Sequence, residues 1–196
     1  MKLVLMSTPY FFVEEHQILT ALFDEGLEMV HLNKPNSEPV FCERLLSLLP
    51  KEYRKLIVTH DHFYLQNEFE LKGIHLDRFD ETIPYRNKGS LSCTCQSLEE
   101  LASVKKEMDY VLLDVTQEDV SADVQQIYKE ASKRKVIDKR VFACGALDQE
   151  QISKIAECGF GGVVVSEEIW NHFDVQNTQD FRELINNFRK LQRLIN

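Results

Sequence analysis

The sequence predicts a single-domain (β/α)8 TIM barrel on three observations. Eight short β-branched or apolar runs recur along the chain, helix-sized stretches separate them, and several of the runs end on a polar residue. The runs are KLVLMS (2–7), MVHLN (29–33), KLIVTH (55–60), GIHLD (73–77), SLSCTC (90–95), YVLLD (110–114), RVFACG (140–145) and GGVVVS (161–166). Near-continuous apolar strands alternating with helices imply a parallel sheet covered on both faces. Eight such units close most economically as a barrel, whose chemistry gathers at the C-terminal ends of the strands. Those ends are Ser7, Asn33, His60, Asp77, Cys95, Asp114, Gly145 and Ser166.

The first helix is expected from about Glu14 to Asp24, with Ile18, Leu19, Leu22 and Phe23 on one face and Gly26 closing it. A second, from about Glu38 to Leu48, has Phe41, Leu45 and Leu48 as its stripe and Pro50 as its stop. The third unit, DHFYLQNEFELK, leaves room for two helical turns before Gly73 restarts a strand. Ser97 is the expected N-cap of a further helix, with Glu100 at the capping-box position; Asp148 caps the next. The last helix, from about Asp180 to Leu194, carries Phe181, Leu184, Ile185, Phe188, Leu191 and Leu194, a stripe suited to sealing the outer layer. Before it, Trp170-Asn171-His172-Phe173 reads as a buried start to that helix or as an exposed interface or lid.

A length of 196 residues suits one well-buried domain and is short for a barrel, so the loops must be short. No linker, repeat or low-complexity run divides it, and one domain over 1–196 is expected. A formal charge of −9 argues against duplex nucleic acid and anionic lipid as partners. The start, MKLVLMSTPYFFV, is broken by Ser7-Thr8-Pro9 and lacks a small-residue cleavage site, so it reads as strand rather than signal peptide. No segment approaches a membrane span. The five cysteines are then expected as reduced thiols of a cytoplasmic protein.

Several constellations could carry chemistry. His60 and His62, one residue apart at a strand end, could ligate zinc with His75 as third ligand; equally, one caps a carbonyl and the other is solvated. Cys93-x-Cys95, with Cys144 two strands on, reads as metal ligands or as small apolar filling. Asp61, Asp77 and Asp80 suit Mg²⁺, a hard cation that takes one or two carboxylates, or are capping and solvated residues. Lys34 could stabilise developing anionic charge or reach solvent. Gly145-Ala146 and Gly161-Gly162 allow the close backbone approach of a phosphate cradle, although only one glycine follows the seventh run.

In order, VHLNKP (30–35), THD (59–61), GIHLDRFD (73–80), CQSLEE (95–100), VFACGAL (141–147) and GFGGVVVSEEIW (159–170) resemble the motifs of the thiamine-phosphate synthase (thiamine-phosphate pyrophosphorylase) family, which includes thiazole tautomerases. The resemblance implies a (β/α)8 barrel that joins a hydroxymethylpyrimidine pyrophosphate to a thiazole phosphate with Mg²⁺ as cofactor. It puts Asp61 and Asp80 on Mg²⁺, Lys34 on the pyrophosphate and the Gly145-Ala146 turn on the thiazole phosphate; Lys34 and His60, the latter in place of a missing acid–base His, are the catalytic candidates. His31, Asn33, Arg78, Thr94, Gln96 and Ser166 stand where the family's substrate contacts fall. The partners it implies are the two small-molecule phosphates, with a homodimer possible through an amphipathic last helix.

The chain also departs from that pattern. Asn33 replaces the family Arg, Asp77-Arg78 replace Gly-Gln, and Thr94 and Gln96 replace Ser and the acid–base His. After the sixth run, DVTQEDVSA stands where the family has a Lys- and hydroxyl-rich pyrophosphate loop. No Lys or Arg occurs from Asp109 to Tyr128, and Asp109, Asp114, Glu118, Asp119 and Asp123 are acidic. Glu167 and Glu168 follow the eighth run. A carboxylate about 4 Å from a phosphate oxygen costs on the order of several kcal/mol at an effective dielectric near 20. Three readings follow: a divergent synthase, a tautomerase needing His60 or His31 as proton shuttle, or a catalytically silent barrel that binds a thiamine-related ligand or a partner protein.

Overall fold

In the computed structural model of the chain, the eight runs pair in sequence order, every pair parallel, and the eighth closes on the first. The structure describes residues 1–196 except 79–81, 84–85, 117–120, 172, 174–179 and 196. The elements are β1 (Lys2–Met6), α1 (Glu15–Asp24), β2 (Met29–Leu32), α2 (Pro39–Leu48), α3 (Lys51–Arg54), β3 (Ile57–Thr59), α4 (Tyr64–Glu68), β4 (Gly73–Leu76) and β5 (Ser90–Cys95). They continue as α5 (Leu98–Val104), β6 (Tyr110–Asp114), α6 (Ala122–Lys133), β7 (Val141–Cys144), α7 (Gln149–Ala156), β8 (Gly162–Val165), α8 (Glu167–Trp170) and α9 (Arg182–Ile195). The barrel that strand count predicts is therefore present.

Strand alternation sorts the apolar residues into two cores. Leu3, Leu5, Val30, Leu32, Ile57 and Ile74 belong to the layer shared with the helices. Val4, Met29, Val58, Tyr110, Leu112, Phe142 and Val164 fill the barrel itself. The register runs Met6 to His31 across β1–β2, and His75 to Ser92 to Tyr110 across β4–β6. The barrel interior is thus apolar on the β7–β8–β1 side, whereas β2–β5 add the buried polar His31, His75 and Ser92 to the apolar Met29 and Val58. Cys93 and Cys95 have the opposite parity and are buried in the outer layer.

Helix ends follow local chemistry, with three departures from expectation. Asp148 and Gln151 form a full capping box. Ser97 accepts from the Glu100 N–H, but the Glu100 carboxylate accepts from the Gln96 N–H, one residue short of the box. In α2 the buried face is Cys42, Leu45 and Leu46; Phe41 and Leu48 of the expected stripe are 50% and 52% exposed. Both line a cavity with Phe11, Phe12 and Val13, the Phe41 ring 5.8 Å from that of Phe11. Likewise Ile195, not Leu194, ends the buried face of α9. Trp170 and Phe173 are buried, packed around Phe12, and the Trp170 indole N–H donates to the Met6 carbonyl at 2.8 Å. Among the described residues no helix is long and apolar enough to cross a membrane.

Candidate active site

Within the barrel, β2, β4 and the turn after β3 bring three imidazoles together. His31 Nδ1 lies 2.9 Å from His60 Nε2, and His31 Nε2 lies 2.8 Å from the Tyr110 hydroxyl. His75 lies against two hydroxyls of β5, Nδ1 at 2.9 Å from Ser92 Oγ and Nε2 at 3.0 Å from Thr94 Oγ1. The His60 and His75 rings stack with centroids 4.3 Å apart. Burial holds His31 and His60 well below the ordinary imidazole range, the neighbouring imidazoles adding to it, and burial lowers His75 to about 4. All three are neutral at physiological pH. Burial also pushes the Tyr110 phenol up, so it keeps its proton. A protonated phenol can donate to His31 Nε2, which then carries its own proton on Nδ1 and donates to His60.

The cation of the β2 side is taken up internally. Lys34 Nζ donates to Glu15 Oε1 at 2.5 Å, to the Tyr10 carbonyl at 2.7 Å and to Thr8 Oγ1 at 3.3 Å. Those are all the donors an ammonium has. Both side chains of the pair are 0% exposed, and the ammonium also sits 4.6 Å from the centre of the Phe11 ring. Burial pushes Glu15 up to about 7 against the pull of Lys34, and burial lowers Lys34 against the pull of Glu15. Nearby, Asp61 follows His60, and its backbone carbonyl accepts from Thr59 Oγ1 at 2.6 Å.

Opposite, at the ends of β7 and β8, a cavity of about 420 Å³ is lined by Ala146, Asp148, Gln149, Glu167, Glu168 and neighbouring residues. Gly145 has φ +130°, and a Cβ there would collide with Thr116, so the turn requires glycine. The Ser166 N–H, where a phosphate cradle would open, instead donates to Glu168 Oε2 at 3.1 Å. Burial raises the Glu168 carboxyl, and Glu167 and Asp148 raise it further by repulsion. Asp114 adds another carboxylate at the end of β6, accepting from the Thr116 N–H.

Of the residues singled out from sequence, His31, His60 and Thr94 come together in the barrel, whereas Lys34 and Asp61 lie on the helix side of the β2–β3 ends. Asn33 is tied to β1, its N–H donating to Ser7 Oγ at 3.0 Å. Gln96 and Ala146 are exposed, and Arg78 lies exposed beyond β4. Asp80, Glu118, Asp119 and His172 lie outside the described residues. His62 is not in the imidazole group: its Nε2 lies 2.9 Å from the Ser37 carbonyl, and His31 takes the place the zinc reading gave it. Sequence reasoning missed Glu15, Ser92 and Tyr110. Alternation along β5 and β6 could have found the last two, since each lies two residues before an inward-facing position. Glu15, in the first turn of a helix, reads as an ordinary exposed acid, and no local signal marks it as buried.

The family resemblance implies Mg²⁺, and the donor set can be tested against it. Among the described residues, Asp61 Oδ2 and Glu15 Oε2 are the buried side-chain oxygens with no hydrogen-bond partner. An orphaned carboxylate oxygen at Asp61 fits a hard cation that takes one or two carboxylates and completes its shell with water and phosphate oxygens.

Comparison with known proteins is consistent with this architecture. No family model matches the chain, and no curated protein sequence does. Among solved structures, the thiamine phosphate pyrophosphorylase from Bacteroides thetaiotaomicron is 42% identical, with 99% of this chain and 97% of that one covered and a TM-score of 0.89. The thiamine phosphate pyrophosphorylase from Pyrococcus furiosus is 17% identical over 100% of this chain and 97% of that one, with a TM-score of 0.70. Tryptophan synthase from M. tuberculosis, at 14% identity, 100% and 93% coverage and a TM-score of 0.66, shares the fold. Identity of 42% along the whole barrel, on a chain whose motifs fall in the family's order, shows that it belongs to the thiamine phosphate pyrophosphorylase family.

Proposed function

We propose that the barrel mouth joins a hydroxymethylpyrimidine pyrophosphate to a thiazole phosphate, the reaction of a thiamine-phosphate synthase. The observation that carries this reading is 42% identity to a thiamine phosphate pyrophosphorylase over nearly the whole chain. In this reaction charge develops on the leaving pyrophosphate and must meet preorganised positive charge. Asp61 is the described residue suited to hold Mg²⁺, which when bound supplies that charge; Asp80 is the second ligand the family pattern suggests. Lys34 reaches the pyrophosphate by exchanging Glu15 for it. The Gly145 turn meets the thiazole phosphate once Glu168 leaves the Ser166 N–H.

A second reading rests on the same two contacts. With Lys34 committed to Glu15 and Ser166 to Glu168, the mouth as it stands suits a neutral or cationic thiamine-related ligand better than a phosphate. A tautomerase is the enzymatic form of this reading, with His60 and His31 moving the proton; a silent binder is the other.

Calorimetric titration with inorganic pyrophosphate and with thiazole phosphate, with and without Mg²⁺, separates them, followed by an assay for thiamine phosphate. The synthase reading expects micromolar pyrophosphate binding that needs Mg²⁺, is lost in Asp61→Ala, and is accompanied by product. Binding of unphosphorylated thiazole with no gain from phosphate, and no product, would overturn it in favour of the second.

A further inference from the structure

His31, His60 and His75 are the one group of three His, Cys, Asp or Glu residues, among those described, whose ligand atoms all lie within 4.8 Å of one another. We propose that these three imidazoles form a binding site for a zinc-type divalent transition ion inside the barrel, separate from the carboxylate at Asp61.

The ligand chemistry selects the ion. An all-imidazole set suits Zn²⁺, Co²⁺, Ni²⁺ or Cu²⁺, whereas Mg²⁺ and Ca²⁺ need oxygen. In a tetrahedral zinc site with Zn–N near 2.05 Å, ligand nitrogens stand roughly 3.3 Å apart. The 2.9 Å between His31 Nδ1 and His60 Nε2 therefore has to open by only a few tenths of an ångström. An ion between them replaces the shared proton of an imidazole–imidazole hydrogen bond.

The surrounding groups match what a ligating histidine needs. Such a residue anchors its second ring nitrogen on a fixed polar partner. Binding through Nδ1 of His31 moves its proton to Nε2, where Tyr110 Oη, 2.8 Å away, accepts it. His75 has a hydroxyl on each nitrogen, Ser92 on one and Thr94 on the other, so either can turn to the ion while its partner stays held. Val58, Met29 and Leu112 give the site an apolar floor. His60, 8% exposed, and the partly exposed Thr94 lie toward the mouth, where a fourth ligand can enter. Three protein ligands with an open fourth position are the pattern of zinc sites that bind a further molecule.

The test is metal occupancy, so its outcome is independent of whether the mouth makes thiamine phosphate. Chelator-treated full-length protein is titrated with Zn²⁺ by calorimetry and with Co²⁺ by visible absorption. One equivalent per chain is expected, with tetrahedral Co²⁺ bands and no thiolate charge-transfer band, unaffected by excess Mg²⁺. His75→Gln and His60→Gln should each weaken Zn²⁺ binding at least about 100-fold, Tyr110→Phe about tenfold, and His62→Ala not at all. Because His75 is buried, circular dichroism checks the fold of each variant, and His60→Gln at the mouth carries the test if His75→Gln unfolds. No binding, binding unchanged in His60→Gln, or a thiolate band pointing to the cysteines would each overturn the site.

Discussion

On the β2–β4 side of the mouth, charge and imidazole are buried and matched within the protein, whereas on the β7–β8 side carboxylates surround an open cavity. Glu15 and Lys34 neutralise each other in the first region, and the histidines stay uncharged against hydroxyls and one another. In the second, Glu168 covers the Ser166 N–H beside Glu167 and Asp148. The first arrangement serves stability, because buried charges without partners are costly. The second serves selection, because the half-buried Glu168 and the exposed Glu167 and Asp148 repel anions entering the cavity. Substitutions on the two sides should therefore be read by different instruments: unfolding for the first, ligand binding for the second.

The largest effect should come from breaking the buried pair. Lys34→Met leaves the Glu15 carboxylate buried alone and should cost about 3–5 kcal/mol of unfolding free energy. Replacing both, Lys34→Met with Glu15→Leu, should recover most of it, since a well-packed apolar pair often equals a buried ion pair. Urea denaturation of the two variants checks this. Lys34→Met should also weaken pyrophosphate binding, since Lys34 is the proposed contact; if it unfolds like the parent protein, the buried pair does not serve stability and the contrast between the two sides collapses.

Acid is the next lever on the same side. His75 is lowered from its ordinary 6.5 to about 4, so the unfolded chain takes up a proton that the folded one refuses. A base lowered in the folded state adds stability that is complete above pH 6.5 and is lost as pH falls toward 4. His75 alone accounts for about 3 kcal/mol over that window, and His31 and His60 act in the same direction. Denaturation of metal-free protein should therefore weaken steeply from pH 6.5 downward. His75→Gln should flatten the slope by about one proton, and an unchanged slope would mean that His75 is charged in the fold.

The barrel was legible from sequence because near-continuous apolar runs, such as YVLLD and GGVVVS, can be buried only in a sheet covered on both faces. His60 was recognisable at a strand end, and His31 within the family-like VHLNKP run. Their meeting with Tyr110 was not, because 79 residues separate His31 from Tyr110 and only barrel closure sets their distance. The Lys34–Glu15 pair was hidden for a related reason. A Lys after a strand end and a Glu in a helix's first turn each look solvated until the β1 loop folds over both. The α2 stripe failed differently: Phe41 is apolar at helical spacing, yet Cys42, Leu45 and Leu46 face inward while Phe41 packs on Phe11 beside a cavity.

On the β7–β8 side, Glu168→Ala should free the Ser166 N–H and remove a charge from the cavity. Inorganic phosphate and thiazole phosphate should then bind about tenfold tighter, a gain near 1.4 kcal/mol. The melting temperature should hardly move, because the lost contact is a partly exposed one. Unchanged phosphate affinity with normal folding would mean that this cavity is not where phosphate approaches, and that Glu168 serves only to cap the turn before α8.

The smallest effect separates two roles carried by one residue. Asp148 lines the same cavity and also closes the capping box of α7, accepting from the Gln151 N–H at 2.8 Å while Gln151 Oε1 accepts from the Asp148 N–H at 2.9 Å. Asn is as good an N-cap as Asp but carries no charge. Asp148→Asn should thus leave stability within a few tenths of a kcal/mol, while Asp148→Ala should cost about 1 kcal/mol. Both should raise phosphate affinity by the same few-fold, since both remove the same charge. A gain in Asp148→Ala alone would tie it to loosening of the turn. Equal gains at unequal stability would show that the cavity's selectivity is electrostatic and independent of how firmly α7 is capped.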